Sequence, residues 1–227
     1  MATKVSLDQA PPVKVLKNLR SSLDSARMEK DTWKYVEKNF RGGGFYEWSG
    51  IKYFLYEYDL SLREQSKTYR EKISWEEFSE DMRDHNTVEH IYPQKPMKPC
   101  WKDKYNKFSA KERKVLRHSL GNLVPLSRPK NSSFQNKCFE DKKGNEKNKV
   151  GFRYGSYAEN EIAMKSQWTA VEILERGVRL LDFMEKRWGF SIGDYDQKVR
   201  ILGLEFVGYE KSASPKRSRG QRTVNKN

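Results

Sequence analysis

The sequence predicts an α+β fold, predominantly α-helical, with a small strand–strand–helix finger embedded among the helices. Three observations predict it. Apolar residues recur at helical spacing along several long stretches. Two short runs, residues 87–94 and 120–127, carry strand-type apolar residues and are each broken by a proline. The second run leads into Pro129, a residue suited to the first turn of a helix.

The N-terminal part reads as helical. Residues 1–13 form a loose start ending in Pro11-Pro12, after which Val15, Leu16, Leu19 and Leu23 give one apolar face to a helix reaching Glu29. Asp31-Thr32 caps a second short helix through Phe40, and Arg41-Gly42-Gly43-Gly44 breaks it. Ser49 is the expected N-cap of an aromatic helix whose buried side carries Phe54, Leu55, Tyr58 and Leu62. Residues 73–82 fit strand and helix alike. Further on, Ser109 to His118 reads as a helix, residues 120–127 as an edge strand because of Pro125, and Pro129 to Lys142 as one helix. A basic loop covers 143–154. One long helix is expected over 158–188, with Ile162, Trp168, Val171, Leu174, Leu181 and Trp188 on its buried stripe. Residues 197–209 alternate like a final strand, and the tail from Ser212 is Lys/Arg-rich low-complexity sequence. The chain therefore divides into an N-terminal helical region (1–84), a core with its C-terminal helix (85–195) and a terminal strand with a basic tail (196–227).

Composition narrows the function. Only 36% of residues are hydrophobic and the mean hydropathy is -0.98, so the 11 Phe, 12 Tyr and 6 Trp must supply much of the core. Lys and Arg number 45 against 31 Asp and Glu, a formal charge of +14, which favours a polyanionic partner with nucleic acid first. No apolar run approaches the ~20 residues of a membrane span. Met1 to Ala10 lacks the apolar stretch of a signal peptide, so a cytoplasmic location is expected. The two cysteines, Cys100 and Cys138, exclude a four-cysteine zinc site; they are free to form a disulfide with each other, but in that compartment a reduced pair is the simpler reading.

The chemistry-bearing residues cluster around Glu89-His90, where a carboxylate adjoins an imidazole. Imidazole is suited to proton transfer because it titrates near neutrality, and oxygen donors suit a hard divalent cation. Successive strand residues point to opposite faces, so the turn at Pro93 must redirect the chain for both groups to serve one site. The opposing element is the helix start near Asn131, whose amide oxygen can ligate a cation.

The string Val88-Glu89-His90-Ile91-Tyr92-Pro93-Gln94, followed by Leu120-Gly121-Asn122-Leu123-Val124-Pro125-Leu126-Ser127 and Lys130-Asn131, resembles the HNH (ββα-metal, His-Me finger) nucleases. More narrowly it is similar to the C-terminal nuclease domain of GmrSD-type restriction enzymes. There a Glu-His-Ile-x-Pro string precedes a Gly-Asn-Leu strand and an Asn-Ser-x-x-x-Asn-Lys-x-Phe-x-x-Lys helix. The resemblance implies a ββα-metal finger and DNA phosphodiester hydrolysis, with His90 as general base and Asn122 bracing the loop that carries it. It makes Glu89 and Asn131 the metal ligands, with Gln135 and Asn136 as runner-up donors. Asn in place of the last His of the HNH name favours Mg²⁺ or Mn²⁺ over Zn²⁺. Arg128, Lys130, Lys137, Lys142 and Lys143 surround the helix and are the expected DNA-backbone contacts. His85 and His118 read as surface or packing residues, although His118 lies close enough to the motif to reach a phosphate. GmrSD-type enzymes pair this domain with an NTP-hydrolysing, DNA-sensing domain. No Gly-x-x-x-x-Gly-Lys-Ser/Thr string occurs here, so such a unit is expected as a separate domain or subunit. Restriction of modified DNA and antiviral defence follow from the resemblance only. The competing expectations are a catalytically silent, basic nucleic-acid-binding module and a basic adaptor whose 158–188 helix binds a protein partner.

Overall fold

The computed structural model describes residues 40, 44–67, 70, 72–74, 87–147, 149–189 and 191–208. The helices expected over 13–29 and 31–40, residues 75–86 with His85, and the basic tail lie outside them, Phe40 excepted. Within the described residues the fold is α+β and mostly helical, with a single two-stranded antiparallel sheet. No described helix is long and apolar enough to cross a membrane.

Helix α1 (Ile51–Glu64) buries Phe54, Leu55 and Tyr58 as its periodicity requires, but Gly50 rather than Ser49 is its N-cap, without a side-chain cap. Strand β1 (Thr87–His90) pairs with β2 (Leu123–Leu126) in the register Thr87 with Leu126 and His90 with Leu123. Both are shorter than the runs that announced them. Pro93 turns the chain out of β1, and Leu120–Asn122 winds into a 3₁₀ turn ahead of β2. Between the strands lie α2 (Pro99–Tyr105) and α3 (Ala110–His118), the latter started by a capping box of Ser109 and Glu112.

Three expectations are corrected downstream. The single helix over Pro129–Lys142 is two, α4 (Arg128–Phe134) and α5 (Phe139–Lys143), separated at Gln135, whose φ is +41°. The single helix over 158–188 is also two, α6 (Tyr157–Ala163) and α7 (Ala170–Trp188). Thr169 and Glu172 form a capping box that satisfies the free N–H groups of a new helix start, and Trp168 is buried just before it, while Val171 is exposed. The final strand is a helix, α8 (Tyr195–Leu202), begun by the capping box of Asp194 and Gln197 and ended by Gly203 in the left-handed conformation. Its Lys198 is held by Asp182 and Glu185 of α7, both at 2.6 Å.

The cysteines are also paired. Cys100, in the first turn of α2, forms a disulfide with Cys138, just before α5, and Trp101 Nε1 donates to Lys137 O at 3.0 Å beside it. The expectation of two reduced thiols fails because α2, inserted between the strands, brings residues 38 apart in sequence into contact.

Helix α7 is the strut behind the finger. A Cβ added at Gly121 would lie 1.9 Å from the Ile173 carbonyl oxygen, so backbone packs on backbone and only glycine fits. Arg176, fully buried, donates through one guanidinium nitrogen to Gly121 O at 2.9 Å and Leu123 O at 2.7 Å. Its charge faces Glu161 of α6, which also accepts from Tyr58 and Arg179. The 3₁₀ turn and the start of β2 are thereby fixed to the helical body.

Candidate functional site

The site is assembled on the end of β1. His90 is the last strand residue. Immediately after it the chain is tied across to the 3₁₀ turn, with Ile91 N donating to Asn122 O at 3.0 Å. The Asn122 side chain then clamps the loop. Its Oδ1 accepts from Tyr92 N at 2.8 Å and Trp168 Nε1 at 3.1 Å, and its Nδ2 donates to Tyr92 O at 3.0 Å and Arg117 O at 2.9 Å. Two acceptor and two donor positions exhaust what a carboxamide offers, so this buried amide is fully satisfied. Asn122 thus holds the backbone of the His90 loop and does not itself reach outward.

Glu89 and His90 line one cavity of about 400 Å³, together with Tyr46, Val88, Pro93, Gln94, Lys95, Asn131, Gln135 and Asn136. Four sequence-predicted donors from two separate segments therefore meet: Glu89 from β1, and Asn131, Gln135 and Asn136 from α4 and the turn after it. Gln135, one helical turn after Asn131, shares its face of α4, and the break between α4 and α5 ends the helix there, with Asn136 on the cavity wall as well. A non-glycine residue at positive φ is costly and is kept only where its surroundings demand it.

The same break turns α5 back beneath the site. Lys142, fully buried, places its ammonium 2.5 Å from Glu89 Oε1, 3.2 Å from His90 O and 3.1 Å from Ile91 O. Burial pushes the Glu89 carboxyl up and the Lys142 amine down, and each charge opposes the shift of the other. Lys142 is thus a brace for the acidic residue and the His90 backbone, not a DNA contact as expected. Lys143 is buried as well, bonded to Lys165 O at 3.1 Å and facing Glu140. Lys130 is committed to Glu159 at 2.6 Å. Lys137 is half-buried and donates to Ser133 Oγ at 3.2 Å, and Arg128 is exposed. Of the five expected backbone-binding cations, burial removes two from any duplex and an ion pair occupies a third. The cation that does line the cavity is Lys95, exposed and absent from the expectation.

His90 is 4% exposed. Gln94 Nε2 lies 3.3 Å from its Nδ1, and His118 Nδ1 lies 3.3 Å from its Nε2. The Tyr46 ring packs on it at 4.3 Å between centroids. Burial, helped by His118, Lys142 and Arg117, lowers the His90 imidazole to about 3, so the ring is neutral near pH 7. Burial and Arg117 lower His118 as well. Tyr46 and His118 were not assigned to the site from sequence. Tyr46 arrives because Gly44 lets the chain lie flat on His118, where Phe45 N donates to His118 O at 2.8 Å. No sequence signal marks that non-local contact. His118 carried one, its position four residues before Asn122.

Among the described residues no three His, Cys, Asp or Glu side chains gather as a metal cluster. The donor set at this cavity is one carboxylate with side-chain amides, and hard oxygen donors of that kind fit Mg²⁺ or Mn²⁺ better than Zn²⁺.

Residues 32–183, more than half of the chain, match the family described as GmrSD restriction endonucleases, C-terminal domain. The chain belongs to that family. No curated protein and no solved structure matches it. Membership in the GmrSD C-terminal family makes this a restriction-type nuclease domain with DNA as its substrate. The matched span contains β1, β2, α4 and α5, and every residue that lines the cavity, from Tyr46 to Asn136, also falls within it.

Proposed function

We propose that this chain is a metal-dependent HNH endonuclease that hydrolyses DNA phosphodiester bonds with His90 as general base. The observation that carries the proposal is the meeting of Glu89, His90 and Asn131 on one cavity with Lys95 at its wall. Glu89 and Asn131 would hold the cation, with Gln135 or Asn136 as a further donor. A bound Mg²⁺ or Mn²⁺ would supply charge neutralisation at the phosphate and the leaving oxygen. His90, neutral and held by its neighbours, takes the proton from a water as the water oxygen bonds to phosphorus and the bond to the leaving sugar oxygen breaks. Lys95 attracts the phosphate. Asn122 and Lys142 hold the backbone of the His90 loop, so the base is placed before substrate arrives.

The family supports a place in a restriction system, with antiviral defence and cleavage of modified DNA as part of this proposal, and an NTP-hydrolysing, DNA-sensing domain or subunit as partner. A plasmid-nicking assay with Mg²⁺ or Mn²⁺ tests the central claim. Nicking is expected with either ion, and none with EDTA or in His90→Ala, while DNA affinity stays largely intact in that variant. Cleavage that survives His90→Ala removes the assigned base.

A further inference from the structure

His90 has two ring nitrogens with different neighbours. Nδ1 faces Gln94, which lines the cavity together with His90, and Nε2 faces His118, which does not line it. A neutral imidazole carries its single proton on one nitrogen, and the hydrogen bond made by the other decides which. The His118 ring stands edge-on to His90, at 87° between planes and 5.2 Å between centroids. That orientation brings Nδ1 of His118 to 3.3 Å from Nε2 of His90. His118 is itself fixed. It ends α3, its carbonyl accepts from Phe45 N, and the preceding carbonyl, of Arg117, accepts from Asn122 Nδ2 at 2.9 Å. A residue that only filled space would not need a ring nitrogen aimed at the neighbouring ring from a backbone pinned on both sides.

We propose that His118 is a positioning residue: its Nδ1 accepts the Nε2 proton of His90, which leaves Nδ1 of His90 unprotonated on the cavity side, where its lone pair accepts from the Gln94 amide until the attacking water takes that place and gives up its proton there. The role rests on the nuclease reading above. The opposite arrangement, His118 donating to Nε2, puts the His90 proton on Nδ1 toward Gln94 and leaves no base facing substrate. Tyr46 holds the plane of the His90 ring and makes no choice between its nitrogens.

Long-range ¹⁵N–¹H correlation spectra of the full chain, labelled at histidine and recorded near neutral pH, report the tautomer without any variant. The expected spectrum shows His90 protonated at Nε2 and bare at Nδ1. A proton on Nδ1 overturns the proposal whatever the activity. Two variants add kinetics, with urea melts to confirm folding. His118→Asn places an amide oxygen where Nδ1 stands and keeps the acceptor. His118→Phe keeps a ring and loses the acceptor. His118→Phe is expected to lower kcat for nicking by about 10–100-fold with KM little changed, the usual scale for a group that orients a reacting residue. His118→Asn is expected to restore most of that loss. Equal kcat in the wild type and His118→Phe, or equal damage in both variants, overturns the role. Absence of metal-dependent nicking in the wild type, or nicking that persists in His90→Ala, overturns the nuclease reading instead, and the spectrum still decides the hydrogen bond.

Discussion

Replacing Lys142 with methionine isolates what holds the acidic side of the site. The substitution keeps most of the side-chain volume and removes three contacts of the ammonium, to Glu89 Oε1 at 2.5 Å and to the carbonyls of His90 and Ile91 at 3.2 and 3.1 Å. Breaking one partner out of a buried pair costs roughly 3–5 kcal/mol, because the remaining charge is left in a poorly solvated place. Glu89 is buried and its own carboxyl is already pushed up by that burial, so on losing Lys142 it can take up a proton, which places the loss at the lower end, about 3–4 kcal/mol. With a urea m-value of about 2 kcal/mol per molar, the midpoint moves down by roughly 1.5–2 M. Urea titration followed by far-UV circular dichroism measures it. The double variant Glu89→Gln/Lys142→Met has no stranded charge and is expected to regain about 1–2 kcal/mol relative to Lys142→Met alone. A midpoint shift under about 0.5 M, or a double variant that loses the sum of the two single losses, would refute the idea that Lys142 braces Glu89.

Asn122→Ala strands two backbone groups of Tyr92, the Arg117 carbonyl and the Trp168 indole N–H, and is expected to cost about 2–4 kcal/mol in the same titration, with DNA affinity of the folded fraction unchanged. Gly121→Ala puts a methyl 1.9 Å from the Ile173 carbonyl oxygen and is expected to cost about 3 kcal/mol or more, read as a drop in Tm; a Tm equal to wild type contradicts the close packing of α7 on the 3₁₀ turn. Reduction of Cys100–Cys138, which spans 38 residues of sequence, is expected to lower stability by about 4 kcal/mol on the chain-entropy estimate, and a Cys100→Ser/Cys138→Ser chain should match the reduced protein. Lys95→Ala is expected to weaken DNA binding and to reduce the slope of log affinity against log salt by about 0.9, the share of one phosphate contact, whereas Lys142→Met should leave that slope as it is.

What sequence disclosed and what it hid divide along physical lines. The local features were legible. The strand pair announced itself in two proline-broken apolar runs, Ser109 with Glu112 marks the start of α3, and the string around His90 with Asn131 supplied residues that meet at the cavity, while Asn122 clamps the loop behind them. Two of the failures also had local signals. Thr169 followed three residues on by Glu172, and Asp194 followed by Gln197, are helix-start signatures, and apolar periodicity across Trp168 and alternation after Gln197 outweighed them. The remaining failures were long-range. Lys142 sits in a basic run and resembles its neighbours until the turn at Gln135 folds α5 under β1. The pairing of Cys100 with Cys138 depends on where α2 lands. Tyr46 reaches His90 through a contact between segments more than forty residues apart, which no local pattern encodes.

The contact of Tyr46 and Phe45 with His90 and His118 bears on where this protein can be cut. A chain starting at His85 would keep both strands, α4 and α5, and so every part by which a minimal finger is usually drawn. It would lack the aromatic wall over the imidazole and the amide that pins the end of α3. Such a fragment would carry the residues of the site and leave the base exposed to bulk water on one flank, so the smallest piece that presents the intact pocket begins ahead of Gly44.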